Sequence, residues 1–276
     1  MHVTPIEILW AAVKTQAGPA RGWHIDDLFN HQRRYLADLQ LIAALAPAGE
    51  ILEVGSAPCH MTALLKLSGY AMVGVDVNPE RVAELIRQLS LDVRRCDIER
   101  STLPFKDDAF ACVLLCETFE HLRIDPAFVL SEIHRVLAPG APLMLTTPNV
   151  YSLPSFARFL LGRSIADPFE EFGKLRNVGH MGHVREYSAR EVARFLECSG
   201  FAVQSIDYRY HSNGRGWKRK LLRLAYRLAP RQFRREIVII AHKAWAGSRL
   251  VPLVPVYADS CNAASRALAA RSSSTE

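Results

Sequence analysis

Short β-rich runs recur along the first half of the chain: Ile51 to Val54, Ala71 to Val77, Leu91 to Ile98, Ala111 to Glu117 and Pro142 to Pro148. Each is bounded by turn residues, and helical patterns fill most of the gaps between them. The stretch from Pro79 to Leu89 has Asn78 as a candidate N-cap and a proline at its first helical position. The stretch from Pro126 to Leu137 follows Asp125 and stops at Pro139-Gly140. Ahead of the first run, Leu36, Leu39, Ile42, Ala43 and Leu45 stand at near-helical spacing, which predicts a leading helix from Asn30 to Ala46. Strand and helix in alternation imply parallel strands joined by right-handed crossovers, the doubly wound α/β class. In such sheets ligands bind at the carboxyl ends of the strands.

After the fifth run come an aromatic, glycine-containing insertion (Tyr151 to Tyr187), a helix from Ser188 to Ser199, a strand from Phe201 to Tyr208 and a partner strand from Ile237 to Lys243. The expected domain spans 30–246, with insertions at 151–187 and 209–236, an N-terminal extension at 1–29 and a tail at 247–276. With 276 residues, 49% of them hydrophobic, the chain can bury one substantial core. No apolar run approaches the roughly 18–20 residues of a membrane crossing, and no basic segment leads into an apolar one at the N-terminus, so the expected location is cytoplasmic. Cys59, Cys96, Cys112, Cys116, Cys198 and Cys261 show no paired CxxC spacing and read as thiols in a reducing compartment.

The strongest local signal is Ile51-Leu52-Glu53-Val54-Gly55-Ser56-Ala57-Pro58-Cys59, a buried strand running into a tight loop of small side chains that a ligand can approach closely. About 20 residues beyond Gly55 the second strand ends in Asp76-Val77, the offset of a carboxylate that accepts from ribose hydroxyls. The third ends in Asp97-Ile98, where an acid beside an apolar side chain suits an adenine amino group and ring.

As a set, these motifs resemble the class I S-adenosylmethionine-dependent methyltransferases, over roughly Leu36 to Tyr208. The resemblance implies a Rossmann-like, seven-stranded, mostly parallel sheet with a terminal antiparallel strand, and S-adenosyl-L-methionine as cofactor. It implies that Glu53 orients the cofactor's amino group, that Gly55, Ser56 and Ala57 cradle its methionine part, and that Asp76 and Val77 hold the ribose. Asp97 and Ile98 would frame adenine, while Cys116 and Glu117 would border the sulfonium. Ala57 and Cys59 stand where the family's first motif has further glycines. Glu120-His121-Leu122, Leu137-Ala138-Pro139-Gly140 and Thr146-Thr147-Pro148-Asn149 match features of the family's small-molecule branch.

Methyl transfer needs an in-line acceptor, and a hydroxyl acceptor also needs its proton removed. His121, His180 and His183 are the candidates, His183 first, because Gly179 to Tyr187 resembles the family's substrate-side loop. No metal is expected, since His180 and His183 share a glycine-rich loop without an adjacent acid or thiolate. By resemblance to enzymes of glycan and secondary-metabolite biosynthesis, the expected acceptor is an oxygen of a small-molecule or lipid-linked glycan. The alternative is a non-catalytic binding module whose altered loop has lost cofactor geometry. The net charge of +6 is concentrated late: nine Lys or Arg residues lie between Arg215 and Arg235, with no acid before Glu236. There Trp217, Leu221, Leu224 and Leu228 can line one helical face and Arg219, Arg223 and Arg227 another. Such a helix either docks on its own domain or, through 217–235, lies peripherally on an anionic membrane. Nucleic acid is not expected, because the aromatics are not interleaved as stacking platforms.

Overall fold

A computed structural model describes residues 3–18, 20–165, 167, 169, 171–173, 182–211 and 217–244. In chain order the elements are α1 (Pro5–Thr15), α2 (Ala20–Leu45), β1 (Ile51–Val54), α3 (His60–Leu67), β2 (Met72–Asp76), α4 (Ala83–Gln88), β3 (Val93–Arg95), β4 (Cys112–Cys116), α5 (Pro126–Val136), β5 (Pro142–Pro148), α6 (Leu153–Leu160), α7 (Ala189–Cys198), β6 (Phe201–Arg209), α8 (Trp217–Leu228) and β7 (Glu236–Lys243). The strands form one sheet in the order β3-β2-β1-β4-β5-β7-β6. β7 is antiparallel to both of its neighbours, and the other pairings are parallel. The expected Rossmann-like sheet with a terminal antiparallel strand is therefore the fold observed.

Alternation along the strands divides the core between the two faces. Leu52, Val54, Val113 and Leu115 pack with Val129, Ile133, Val192 and Leu196 of α5 and α7. Ile51, Cys112 and Leu114 face the other way, into a cluster with Leu64 and Leu65 of α3 and with Leu9, Val13, Leu28 and Ile42 of the N-terminal helices. The leading helix thus begins at Ala20, ten residues before the expected Asn30, because Leu28 and the side chains around it have a core face to bury against.

Two other elements differ from expectation. β3 covers only Val93–Arg95 of the expected Leu91–Ile98, since it is an edge strand paired only with β2, and Asp97 then bends the chain by accepting from the Glu99 N–H at 3.2 Å. Asn78 makes no side-chain cap, and Pro79–Val82 is a 3₁₀ turn ahead of α4. Asp125 does cap α5, accepting from the N–H groups of Ala127 and Phe128, and Ser188 with Glu191 forms a reciprocal capping box on α7.

The strand order reverses direction between β1 and β4. The crevice of a doubly wound sheet opens at that point, at the carboxyl ends.

Candidate active site

Three adjoining cavities line this crevice, and Glu117 borders all of them. The first, about 280 Å³, is walled by Gly55, Ala57, Asp76, Val77, Asp97 and Ile98 among others. The second, about 340 Å³, lies over Glu53, Ser56, Cys116 and Glu120, with His121 and His183 at its edge. The third, about 510 Å³, is bounded by α2, α6 and the β7 end, through Arg34, Asn149, Ser155, Arg158, Arg209 and Glu236. The sequence-predicted cofactor residues thus converge on the first two cavities, while His183 reaches into the second and third. His180 lies outside the described residues.

The end of the crevice at the first cavity is built by backbone. Gly55 sits at φ +76°, and a Cβ there would collide with the Thr118 side chain. Glycine is required at that position by conformation and space together. The N–H groups of Gly55 and Ser56 both donate to the Val75 carbonyl, at 2.9 and 3.0 Å, which ties the loop to β2. Asp76 accepts from Ala57 N–H at 3.1 Å and from Asn78 N–H at 2.8 Å, so one carboxylate orders both loops around the cavity. Cys59 occupies the left-handed region at φ +64°, where a family glycine would be unstrained. Its side chain is fully buried in the core beneath α3, and burial pushes its thiol pKa far up. Ala57 and Pro58, not Cys59, face the cavities.

Glu53 accepts a hydrogen bond from the Thr62 hydroxyl, and its carboxyl is pushed up to about 8 by burial. Its neighbours Asp76 and Asp38 are also acids. A buried acid bordering a cavity, with acids around it, fits a ligand's ammonium group. These features fit S-adenosylmethionine: a cation-seeking acid, a loop cradle without Cβ at Gly55, and the Asp97–Ile98 pair at the far wall.

The other end of the crevice, at the third cavity, is built by long side chains. Arg34 pairs with Glu117 at 3.0 Å, and Glu117 also accepts from the Thr146 hydroxyl at 3.0 Å. Arg209 donates to Asp38 at 2.5 Å and to Glu236 at 3.4 Å. Burial and the nearby Glu117 hold the Glu236 carboxyl above the usual range. Beneath Glu117, the Glu120 carboxyl is likewise raised, chiefly by burial, and accepts from the Thr147 hydroxyl at 3.0 Å. Burial tends to lower His183, but Glu186 and Glu120 outweigh it and its pKa is raised. Arg34, with Trp23, Asp27, His31 and Asp38, escaped the sequence reading. Their spacing along α2 is four, four, three and four, which puts a polar stripe on one helical face turned to the second cavity.

A family model described as a methyltransferase domain matches residues 29–206. The chain belongs to that methyltransferase family. A curated relative from Mycolicibacterium smegmatis, a probable S-adenosylmethionine-dependent methyltransferase, is 28% identical over 183 residues, 66% of this chain. The match spans 63% of that relative's length. A solved S-adenosylmethionine-dependent methyltransferase from Archaeoglobus fulgidus superposes with a TM-score of 0.56 at 19% identity, covering 80% of this chain and 99% of its own. One from Thermotoga maritima, described as a possible histamine N-methyltransferase, gives 0.55 at 21% identity, covering 81% and 96%. These structural likenesses bear on the fold of the methyltransferase domain. S-Adenosylmethionine is the cofactor that family membership implies.

Proposed function

We propose that the chain transfers a methyl group from S-adenosylmethionine to a hydroxyl oxygen of a polar, phosphate-bearing and lipid-linked glycan. The observation that carries this reading is the adjoining of three cavities at Glu117, one fitted to a nucleoside, one over the buried Glu53, and one large and polar. When bound, the cofactor supplies a methyl group already activated for displacement by its sulfonium. Asp76 orders the loops that hold the nucleoside, Glu53 neutralises the amino group, and Glu117 stands between donor and acceptor ends. Asn149, Ser155, Arg158 and Arg209 offer donors and acceptors to a polyhydroxylated ligand. On this reading His121 and His183, which line the central cavity, activate its oxygen. The non-catalytic alternative rested on the altered Gly55–Cys59 loop, and the burial of Cys59 away from the cavities weighs against it.

Two features support the lipid-linked, anionic character of the acceptor. A fourth cavity of about 320 Å³ shares His211 with the third and is lined by Arg33, Arg223, Arg227 and Arg234, a set suited to phosphate. Beside it, Trp217, Leu221, Leu224 and Leu228 of α8 are 51–79% exposed, as are Phe159 and Leu160 of α6, a helix that also walls the acceptor cavity. Apolar side chains flanked by arginines suit the surface of an anionic bilayer. No described helix is long and apolar enough to cross one.

Calorimetric titration with S-adenosylhomocysteine tests the cofactor reading: saturable binding is expected, and folded protein that does not bind would reject it. Methyl transfer from labelled cofactor to lipid extracts then tests the acceptor class. Vesicle flotation is expected on phosphatidylglycerol and absent on phosphatidylcholine. Leu221→Ser with Leu224→Ser should abolish it, and Arg223→Glu with Arg227→Glu should weaken it by roughly 30-fold or more at about 1 kcal/mol per basic charge. Equal flotation of every variant would reject the membrane contact.

A further inference from the structure

We propose that Glu120, His121 and His183 bind one divalent transition-metal ion at the acceptor side of the methyl-transfer centre. Sequence gave no reason to join them: His183 was expected to lack an acidic neighbour, and the acid comes from the turn after β4, more than sixty residues earlier. In the folded chain, Glu120 Oε1 lies 3.9 Å from Nε2 of His121 and 3.9 Å from Nε2 of His183. The three donor atoms lie within 4.8 Å of one another. All three residues line the central cavity, between the cofactor and acceptor ends.

The imidazoles are oriented as ligands are. Nδ1 of His121 faces the Gly182 carbonyl at 3.1 Å, and Nδ1 of His183 faces Glu186 Oε1 at 3.4 Å. A ring whose Nδ1–H donates to an oxygen carries its lone pair on Nε2, and outer oxygen partners of this kind set the tautomer of ligating histidines. The rings themselves stand 5.1 Å apart at 74°.

Glu120 supplies an independent observation. The residue is 1% exposed, one oxygen accepts from Thr147, and the other, Oε1, has no hydrogen-bond partner among the described residues. That orphaned oxygen is the one nearest both imidazoles. A buried carboxylate oxygen without a donor is costly, and a cation between it and the two Nε2 atoms would satisfy it. Donors about 2.0–2.1 Å from a tetrahedral ion stand about 3.3 Å apart, so each Glu–His distance would close by about 0.6 Å and the His–His distance by up to about 1.5 Å. Two imidazoles and a carboxylate suit zinc, cobalt, iron or nickel better than magnesium or calcium, and three protein donors leave a position open toward the cavity.

The role of the site rests on the methyl-transfer reading. A hydroxyl of the acceptor in the open position would become more acidic and lose its proton to solvent. Its oxygen then bonds to the methyl carbon while the carbon–sulfur electron pair passes to sulfur, leaving S-adenosylhomocysteine. His121 and His183 would on this account act through the ion, not as bases.

Titration of the full chain with Co²⁺, read by visible absorption, tests the site directly. One equivalent should produce saturating d–d bands that Zn²⁺ displaces and Mg²⁺ does not. His183→Ala and Glu120→Gln should each weaken binding by more than about tenfold, the least that loss of an outer partner costs. Absence of saturable bands would overturn the proposal, and so would bands that survive both substitutions, which would point to other histidines such as His24, His31 and His60. If Glu120→Gln does not fold, His183→Ala decides, because that side chain is 35% exposed on a loop. Calorimetry with S-adenosylhomocysteine separates the two readings: Co²⁺ binding without cofactor binding would sink the methyl-transfer reading and leave the metal site standing.

Discussion

The two ends of the crevice are held by different kinds of structure. At the cofactor end the working parts are strand ends and backbone amides, pinned by short bonds such as those from Gly55 and Ser56 to Val75. At the end proposed for the acceptor they are long charged side chains from α2, β6, β7 and the residue after β4, cross-linked through Arg34, Glu117, Asp38, Arg209 and Glu236. The first design tolerates little change in backbone and fixes one ligand shape. The second fixes charge and leaves shape to side chains, which is how one fold can keep a cofactor and vary its acceptor.

Substitutions can break this contrast. The largest effect is expected at Asp76, whose carboxylate accepts from two loop amides; Asp76→Ala should weaken S-adenosylhomocysteine by about 100-fold, two charged hydrogen bonds at about 1.5 kcal/mol each. Calorimetry measures it, and a loss of less than about tenfold would mean that the loop is pinned elsewhere. Next comes Gly55→Ala, for which the left-handed backbone alone costs about 1–2 kcal/mol before Thr118 is displaced. Chemical denaturation should show that loss together with weaker cofactor binding. An unchanged midpoint would show that the loop relaxes freely.

Arg34→Met probes the other design. It strips Glu117, which borders all three cavities, of its cationic partner and should cost about 1–2 kcal/mol in stability while weakening cofactor binding far less than Asp76→Ala does, since no loop amide depends on the bond. Loss of cofactor binding in that variant would erase the distinction between the two ends.

The smallest effect is a pH dependence beneath the crevice. His24 of α2 is lowered to about 4 by burial and by His60 of α3, against the opposing charges of Asp27 and Glu84. Unfolded, it takes up its proton near pH 6.5; folded, only near 4. Unfolding therefore binds a proton across that window, and stability falls as pH drops from about 6.5 to 4. Asp27, lowered by its bonds to His31 and His60 despite burial, adds a further loss only below its ordinary value of 3.8. A Tm that declines by a few degrees between pH 6.5 and 4, and flattens in His24→Asn, is expected. An equal slope in both proteins would place the titration elsewhere.

The same contrast explains what could be read from the sequence. Glu53, Gly55, Asp76 and Asp97 each stand at the end of a short apolar run, so their place at the carboxyl edge followed from strand periodicity and turn chemistry alone. The acceptor network joins residues as far apart as Asp38 and Arg209, 171 positions, and no local pattern encodes such a pair. The polar stripe of α2 was legible in principle, but the helix was expected to begin at Asn30, which left Trp23 and Asp27 outside it. Glu120 was visible beside His121, yet only the return of the loop at Gly182 brings His183 to it. The apolar stripe of α8 could be drawn from helical spacing, whereas its exposure had to be seen in the fold.

Glu117 borders the nucleoside, central and acceptor cavities at once, and its carboxylate is held by Arg34 from one side and Thr146 from another. Any ligand that draws this carboxylate toward itself changes what the opposite end offers. Linkage then demands reciprocity: whatever factor the cofactor applies to acceptor affinity, the acceptor must apply to the cofactor. A single shared side chain can thus make each site's affinity depend on whether the other is filled, without a lid or a hinge.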